Sequence, residues 1–303
     1  MGKKILLIGA SGFLGLNWLY YNKAHDIIPT YSNYLPNFKN NWVNFTFDGF
    51  DTLRLSKLIT EVKPDVVINC AALKIEECEL NKDYAKNLNL TLPKHLALIS
   101  KNLGFSFVQI STDHFYSKFD FPRSELETVV PVNMYGETKI CAEKIILELN
   151  PRALIIRVNF FGYGFKKKIN LLDDILTCVK SGKNFMGYTD TVFSPVSISE
   201  LVRCTYMLLD LGAGGIFNLA SGDSLSKFEF AKTVCRIFEY NPELVISSLS
   251  GEAGGNVRRV KYLALENAKF SSFTGVTIPT VEEMLLELKS DIVWQQEVGE
   301  LNV

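Results

Sequence analysis

An excess of either charge is what this chain most plainly lacks: 32 lysines and arginines against 33 aspartates and glutamates leave a formal charge of -1 across 303 residues. A near-neutral chain carries no basic footprint for nucleic acid. With 47% hydrophobic residues it does not have the composition of a disordered segment either. Histidines number 3, and none stands close enough to a cysteine to complete a zinc-ligand spacing, so no metal site is expected. The six cysteines, Cys70, Cys78, Cys141, Cys178, Cys204 and Cys235, form no Cys-x-x-Cys pair. Reduced thiols in a cytoplasm are expected. No apolar run reaches the ~18 residues of a membrane span. Lys3 and Lys4 precede an apolar run, but glycines break it early and no small-residue cleavage site follows, so no signal peptide is expected. The Asn-x-Thr matches at Asn44 and Asn89 are accordingly read as chance. No internal repeat or low-complexity segment appears, and the length suits one large or two modest domains.

The stretch that organises the rest is Ile5-Leu6-Leu7-Ile8-Gly9-Ala10-Ser11-Gly12-Phe13-Leu14-Gly15. An apolar run of strand type ends in glycines spaced Gly-x-x-Gly-x-x-Gly, and Leu16 to Asn22 can continue as a helix. One glycine permits a sharp turn, one a close approach to a pyrophosphate, and one tight packing of helix on strand. The helix start offers unpaired N–H groups and a positive dipole end to phosphates. Gly9, Ser11, Gly12, Phe13, Leu14 and Gly15 are therefore candidate dinucleotide contacts.

A second strand, His25 to Tyr31, runs into Ser32 and Asn33, and a third covers Val43 to Phe47. An acid at the end of the second strand would bind a ribose 2′-hydroxyl and repel a 2′-phosphate. None stands there, so NADP(H) is favoured and NAD(H) is left open. Ser32, Asn33 and Lys39 are candidate phosphate contacts, and Asp48 is a candidate for the adenine edge or a simple cap of the helix over 51–62. Pro64-Asp65 introduces the apolar strand Val66-Val67-Ile68-Asn69, of the kind buried on both faces of a parallel sheet. It ends in Cys70-Ala71-Ala72, where the small Ala71 and Ala72 leave room for a ligand. One long helix is expected from about Glu79 to Leu103, stopped by Gly104.

The next strand, Phe105 to Ile110, runs into Ser111-Thr112-Asp113-His114. Hydroxyls and an acid at a strand's carboxyl end sit where open α/β sheets keep their chemistry. Tyr135-Gly136-Glu137-Thr138-Lys139 then opens a helix. Tyr135 and Lys139 are four apart and share one helix face, so their polar ends can converge on one ligand. Reducing a ketone requires a hydride at carbon and a proton at oxygen. Tyr135 is the candidate proton donor, and Lys139 is placed to lower its phenol from about 10. Thr112 can bind the carbonyl oxygen, and Asp113 can orient the substrate or share in proton delivery.

The ordered set resembles the extended short-chain dehydrogenase/reductase superfamily, and within it the dTDP-4-dehydrorhamnose reductase group of nucleotide-sugar reductases. The resemblance rests on Gly9 to Gly15, Pro64 to Ala72, Ser111-Thr112-Asp113, Pro131 to Lys139 and the strand Ile155-Ile156-Arg157-Val158. It implies an α/β fold: a Rossmann-type doubly wound parallel sheet with a smaller mixed α/β C-terminal substrate lobe. Residues 1–160, with a returning segment at about 190–210, would form the dinucleotide-binding domain, and 161–303 mainly the substrate lobe. It implies an oxidoreductase acting on a nucleotide-linked 4-keto-6-deoxy sugar, Thr112, Tyr135, Lys139 and Asp113 as catalytic residues, and Tyr135 and Lys139 also as cofactor contacts, Lys139 on the nicotinamide ribose. Asn89 falls at a structural asparagine behind the site. His114, Asn159 and Arg259 are candidate substrate contacts. A guanidinium fork at Arg259 matches phosphate oxygens, and Lys166-Lys167-Lys168 is read as a solvated run or a second diphosphate contact. Neither nucleic acid nor a membrane is an expected partner, and a homodimer is left open.

The chain departs from the group at His114, where an aromatic is usual, at Val260, where a proline is usual, and in the aromatic run Phe160-Phe161-Gly162-Tyr163. Rival readings are an epimerase that retains NAD and a non-catalytic dinucleotide-binding regulatory subunit. Asp113 followed by His114 lacks the Asp-Glu pair common in dehydratases. Further helices are expected over 171–180, 199–209, 227–238 and 281–288, and a strand at Phe217 to Ala220.

Overall fold

Apolar runs bounded by turn residues become one parallel sheet. The structure, a computed structural model, describes residues 2–36, 40–47, 49, 52–115, 121–164, 170–253 and 257–291. Lys39, Asp48, the run Lys166 to Lys168 and the tail from Gln295 lie outside these residues. In chain order come β1 (Lys4–Ile8), α1 (Phe13–Tyr21), β2 (Asp26–Tyr31), β3 (Val43–Asn44), α2 (Thr52–Val62) and β4 (Val66–Asn69). α3 (Ile75–Leu80), α4 (Lys82–Lys86), a π-helical turn over Asn87–Thr91 and α5 (Leu92–Leu103) lead to β5 (Ser106–Ile110), α6 (Met134–Leu149) and β6 (Leu154–Val158).

The second half carries β7 (Phe160–Phe161), α7 (Leu171–Lys180), β8 (Phe185–Tyr188), β9 (Val192–Phe193), β10 (Val196–Ser197) and α8 (Ile198–Asp210). After these come β11 (Gly215–Leu219), β12 (Leu225–Ser226), α9 (Lys227–Ile237), β13 (Val245–Ser248), α10 (Ala268–Thr274) and α11 (Val281–Ser290).

The central sheet has seven strands in the order β11-β6-β5-β4-β1-β2-β3, and every pairing in it is parallel. The order reverses between β1 and β4, where a parallel sheet opens a crevice at the strands' carboxyl ends. Side chains alternate across the sheet. Ile5 and Leu7 of β1 face a core that includes Leu14 and Trp18 of α1 and Leu201 and Leu208 of α8, while Leu6 and Ile8 face Leu55, Ile59, Leu96 and Ile146. Each fully buried aliphatic contributes about 1.5–3 kcal/mol relative to exposure. The fold is therefore α/β and doubly wound. Three small two-stranded pairings lie outside the main sheet, β7 with β10, β9 with β12 and β8 with β13.

The long helix expected over 79–103 is broken. Asn81, at φ -138°, stands between α3 and α4, and its side chain accepts from the Tyr84 N–H at 3.0 Å. Asparagine competes with the helix in this way because its short amide caps a helix start better than it continues one. The third strand is shorter than expected: only Val43 and Asn44 pair with β2, while Phe45 and Phe47 turn into the core.

Candidate active site

The crevice at the order reversal is built by backbone approach. Ile8 lies beside Asn69 in register, and the Cys70 N–H donates to the Ile8 carbonyl at 2.9 Å. Gly9 holds φ +79°, and a Cβ there would lie 2.6 Å from the Ala71 nitrogen, so glycine is required on both counts. Its N–H donates to Thr30 Oγ1 at 3.2 Å, tying the turn to β2. Gly15 packs α1 on the strand end, since a Cβ there would lie 2.4 Å from Ala10 Cα. The cleft that results is lined by Gly9, Ser11, Gly12, Thr30, Tyr31, Ser32, Phe47, Cys70, Ala71, Ala72, Tyr84 and Leu88, among others. Glycines, a serine and a helix start frame one side, and apolar side chains cover the other. This donor set fits the pyrophosphate and adenosine of a dinucleotide.

Of the predicted contacts, Ser11, Ser32, Ala71 and Ala72 line that cleft with Gly9 and Gly12. Leu14 and Gly15 do not line it: both are buried in α1, where they close the packing beneath it. Phe13 stacks against Phe160 with ring centroids 6.0 Å apart. Asn33 is exposed outside the lining.

The reacting groups gather where β5 ends and α6 begins. Asn133 caps α6, accepting from the Gly136 N–H at 2.9 Å, and Glu79 Oε1 accepts from the Met134 N–H at 2.7 Å. Gly136 lets the helix start press on the strand end, for a Cβ there would meet the His114 carbonyl oxygen at 2.8 Å. This brings Tyr135 edge-on to His114, with ring centroids 6.1 Å apart, and His114 in turn donates its backbone N–H to Thr112 Oγ1 at 3.2 Å. Lys139 is 3% exposed, and its Nζ donates to the Ile110 carbonyl at 2.6 Å. Thr112 Oγ1 donates to Asp113 Oδ1 at 3.3 Å, and Asn159 Nδ2 donates to Asp113 Oδ2 at 2.8 Å. Thr112, Asp113, His114, Tyr135, Lys139 and Asn159 are thus brought together. Arg259 reaches the same region but is ion-paired with Glu76.

Desolvation dominates the electrostatics. It pushes the Tyr135 phenol up to about 12, against the nearby Thr112 hydroxyl, which pulls it down. The expected lowering of this phenol by Lys139 is absent, because Lys139 is turned to the Ile110 carbonyl and burial wins. Burial brings the Lys139 ammonium down to about 8, while the Glu143 carboxylate opposes it. Asp113 is raised by burial, opposed first by His114, and His114 is lowered by burial.

Behind Lys139 stands an ion pair that sequence reasoning missed. Arg157 Nη2 donates to Glu143 Oε2 at 2.7 Å, and the Ser111 hydroxyl donates to Glu143 Oε1. The signals were present: a carboxylate on the apolar face of α6 and an arginine inside an apolar strand. Asn89 bridges two elements, accepting from the Leu73 N–H at 3.0 Å and donating to Thr138 Oγ1 at 3.3 Å. Lys227, half-buried at the start of α9, was also missed as a site residue and lies within electrostatic reach of Asp113 and His114.

Among known proteins, a probable low-salt glycan biosynthesis reductase of Haloferax volcanii is 27% identical over 290 residues, covering 93% of this chain and 96% of its own. The crystal structure of a dTDP-4-dehydrorhamnose reductase ortholog from Clostridium acetobutylicum superposes with a TM-score of 0.82 at 28% identity, over 97% of this chain and 99% of that one. A dTDP-4-dehydrorhamnose reductase from Bacillus anthracis in complex with NADP shares the fold, with a TM-score of 0.83 at 23% identity over 95% of this chain and 99% of that one. The family model described as RmlD substrate binding domain matches residues 3–293, and the chain belongs to that family, within the extended short-chain dehydrogenase/reductases.

Proposed function

We propose that this chain reduces a nucleotide-linked 4-keto-6-deoxy sugar with NADP(H), in the synthesis of a polysaccharide or glycoconjugate. The observation that carries the reading is that Thr112, Tyr135 and Lys139 gather where β5 ends and α6 begins, at the same end of the sheet as the glycine turn. Gly9, Ser11, Gly12, Ser32, Ala71 and Ala72 would hold the dinucleotide, with Lys139 near its ribose. When bound, the dihydronicotinamide supplies the hydride to the carbonyl carbon. The chain's own residues work on the oxygen. The Thr112 hydroxyl, whose single proton goes to Asp113 in the free protein, turns it to the carbonyl oxygen, and the Tyr135 hydroxyl gives that oxygen a proton as negative charge develops. A phenol held high is a group that keeps its proton until that charge appears. Asp113, oriented by Asn159, holds the Thr112 hydroxyl in place until the substrate oxygen arrives.

NADP(H) is favoured because β2 ends in Thr30-Tyr31 and runs into Ser32 with no carboxylate to repel a 2′-phosphate. In this reading residues 1–160 and about 190–210 bind the dinucleotide and 161–303 mainly bind the substrate. The nucleotide sugar is the partner, a cytoplasm is the location, and six free cysteines accord with it.

The test is NADPH oxidation with a panel of nucleotide-4-keto-6-deoxysugars. We expect turnover in the wild type and a loss of about 10²–10⁴-fold in Tyr135→Phe, with the NADPH dissociation constant unchanged. No oxidation with any sugar, despite NADPH binding, overturns the reading.

A further inference from the structure

Three cations lie on the segments that flank β9, and their partners differ. Val192 is the hub of that arrangement. It pairs with Ser226 on one side and bridges Tyr262 on the other, and its N–H donates to the Lys261 carbonyl at 2.9 Å. The segment before Tyr262 reaches α6, where Asn133 Nδ2 donates to the Arg258 carbonyl at 2.9 Å. Lys227 follows Ser226 on one side of β9, and Arg259 and Lys261 precede Tyr262 on the other. Arg259 is paired with Glu76, and Lys261 Nζ lies 2.7 Å from Asp190 Oδ2.

Lys227 is different. No carboxylate of the described residues pairs with it, and its Nζ instead lies 5.9 Å from the Tyr188 ring centroid. Its place in the helix is also adverse. It is the first residue of α9, after the Ser226 cap, where the helix dipole is positive and a cation is disfavoured. The cap itself is well made, with Ser226 Oγ and Glu229 Oε2 2.8 Å apart, so the lysine adds nothing to it. A half-buried, unpaired cation set against a helix dipole and a second cation breaks every local rule, as functional positions do.

We propose that Lys227 is the anion-holding residue of the substrate cleft, its ammonium taking a phosphate or carboxylate oxygen of the substrate beside Asp113 and His114. This rests on the nucleotide-sugar reading above. Burial and Arg259 both lower the ammonium, opposed by Asp113 alone, which is the environment a bound anion would relieve. The anion has two sources, the sugar-side phosphate of a nucleoside diphosphate or a carboxylate on the sugar itself. The cation–aromatic contact with Tyr188 fixes the ammonium without neutralising it.

Titration calorimetry separates the cases without needing turnover. The probes are dTDP, UDP, the corresponding monophosphates, UDP-glucuronate and NADPH, against wild type, Lys227→Met and Lys227→Arg. We expect Lys227→Met to weaken a nucleoside diphosphate by roughly tenfold or more, as loss of one charge-assisted contact does. Monophosphate and NADPH affinities and the melting temperature stay near wild type, and Lys227→Arg keeps most of the binding. If the diphosphates are unaffected but UDP-glucuronate weakens, the anion is the carboxylate. If wild type binds these nucleotides and Lys227→Met binds all of them equally well, the assignment of Lys227 is overturned alone. If wild type binds NADPH but no nucleotide, the substrate reading fails and takes this assignment with it.

Discussion

Glu143 and Arg157 form a buried pair directly behind the catalytic helix, with Arg157 Nη2 2.7 Å from Glu143 Oε2 and each side chain 4% exposed. Glu143 lies one turn beyond Lys139 on α6, and Arg157 stands on β6. The pair therefore pins helix to sheet at the depth of the Lys139 ammonium. Glu143→Gln keeps the shape and removes the charge, leaving Arg157 uncompensated in the interior. We expect a loss of about 3 kcal/mol in urea unfolding. Glu143 also holds the Lys139 ammonium up against burial. If protonated Lys139 is the active form, activity falls as pH rises through about 8. In Glu143→Gln that alkaline limb moves to lower pH. A profile that stays put while stability drops would make the pair purely structural.

Cofactor choice turns on the end of β2. Ser32 lines the dinucleotide cleft, and no acid accompanies it in Thr30-Tyr31-Ser32. Ser32→Asp places a carboxylate where a ribose 2′-hydroxyl would be received and a 2′-phosphate repelled. The ratio of NADPH to NADH affinity should fall by about tenfold or more, equivalent to ~1.4 kcal/mol. Fluorescence titration of both dinucleotides reads it directly, and an unchanged ratio would remove β2 from the specificity argument.

Two glycines separate backbone strain from close approach. Gly182 holds φ +69° with open space where a methyl would go, whereas Gly9 holds φ +79° with the Ala71 nitrogen 2.6 Å from the corresponding position. Gly182→Ala should cost about 1 kcal/mol from the left-handed backbone alone and leave NADPH binding intact. Gly9→Ala should cost more than this and weaken NADPH binding sharply, because the β1 turn must move away from β4. Thermal melts with and without NADPH distinguish the two.

The first half of the chain was legible because its signals are local. Gly9 to Gly15, the apolar run Val66 to Asn69 and the spacing of Tyr135 and Lys139 each need only neighbours along the sequence to be read. Apart from the local cap at Asn81, what escaped was decided at a distance. Asn81 breaks a helix whose periodicity continues through it, since capping competes with propagation at a single residue. Glu143 and Arg157 look like isolated charges until α6 is laid on β6. Lys227 reads as the first residue of an ordinary helix until β9 sets it across from the segment that carries Arg259 and Lys261. The strands β8 and β13, four residues each, pair only with one another and show no pattern long enough to separate from loop.

Lys139 joins stability to activity with opposite signs. Its ammonium is 3% exposed and burial lowers it from 10.5 to about 8. Between those values the unfolded chain binds the proton that the folded chain has released, so the wild type gains stability as pH rises from about 8 towards 10.5. Below that window the folded state carries a buried charge at a cost of up to about 3 kcal/mol. Lys139→Met deletes that cost together with the hydrogen bond to the Ile110 carbonyl, which is worth about 1 kcal/mol. The variant should therefore be more stable than the wild type at pH 7, by about 1–2 kcal/mol, and the rise above pH 8 should vanish from its urea-unfolding curves. Reduction of the sugar should be lost at every pH. A variant that is less stable at pH 7, or that keeps the alkaline rise, would mean that the ammonium is already compensated by Glu143 and that no stability is given up to hold it in the site.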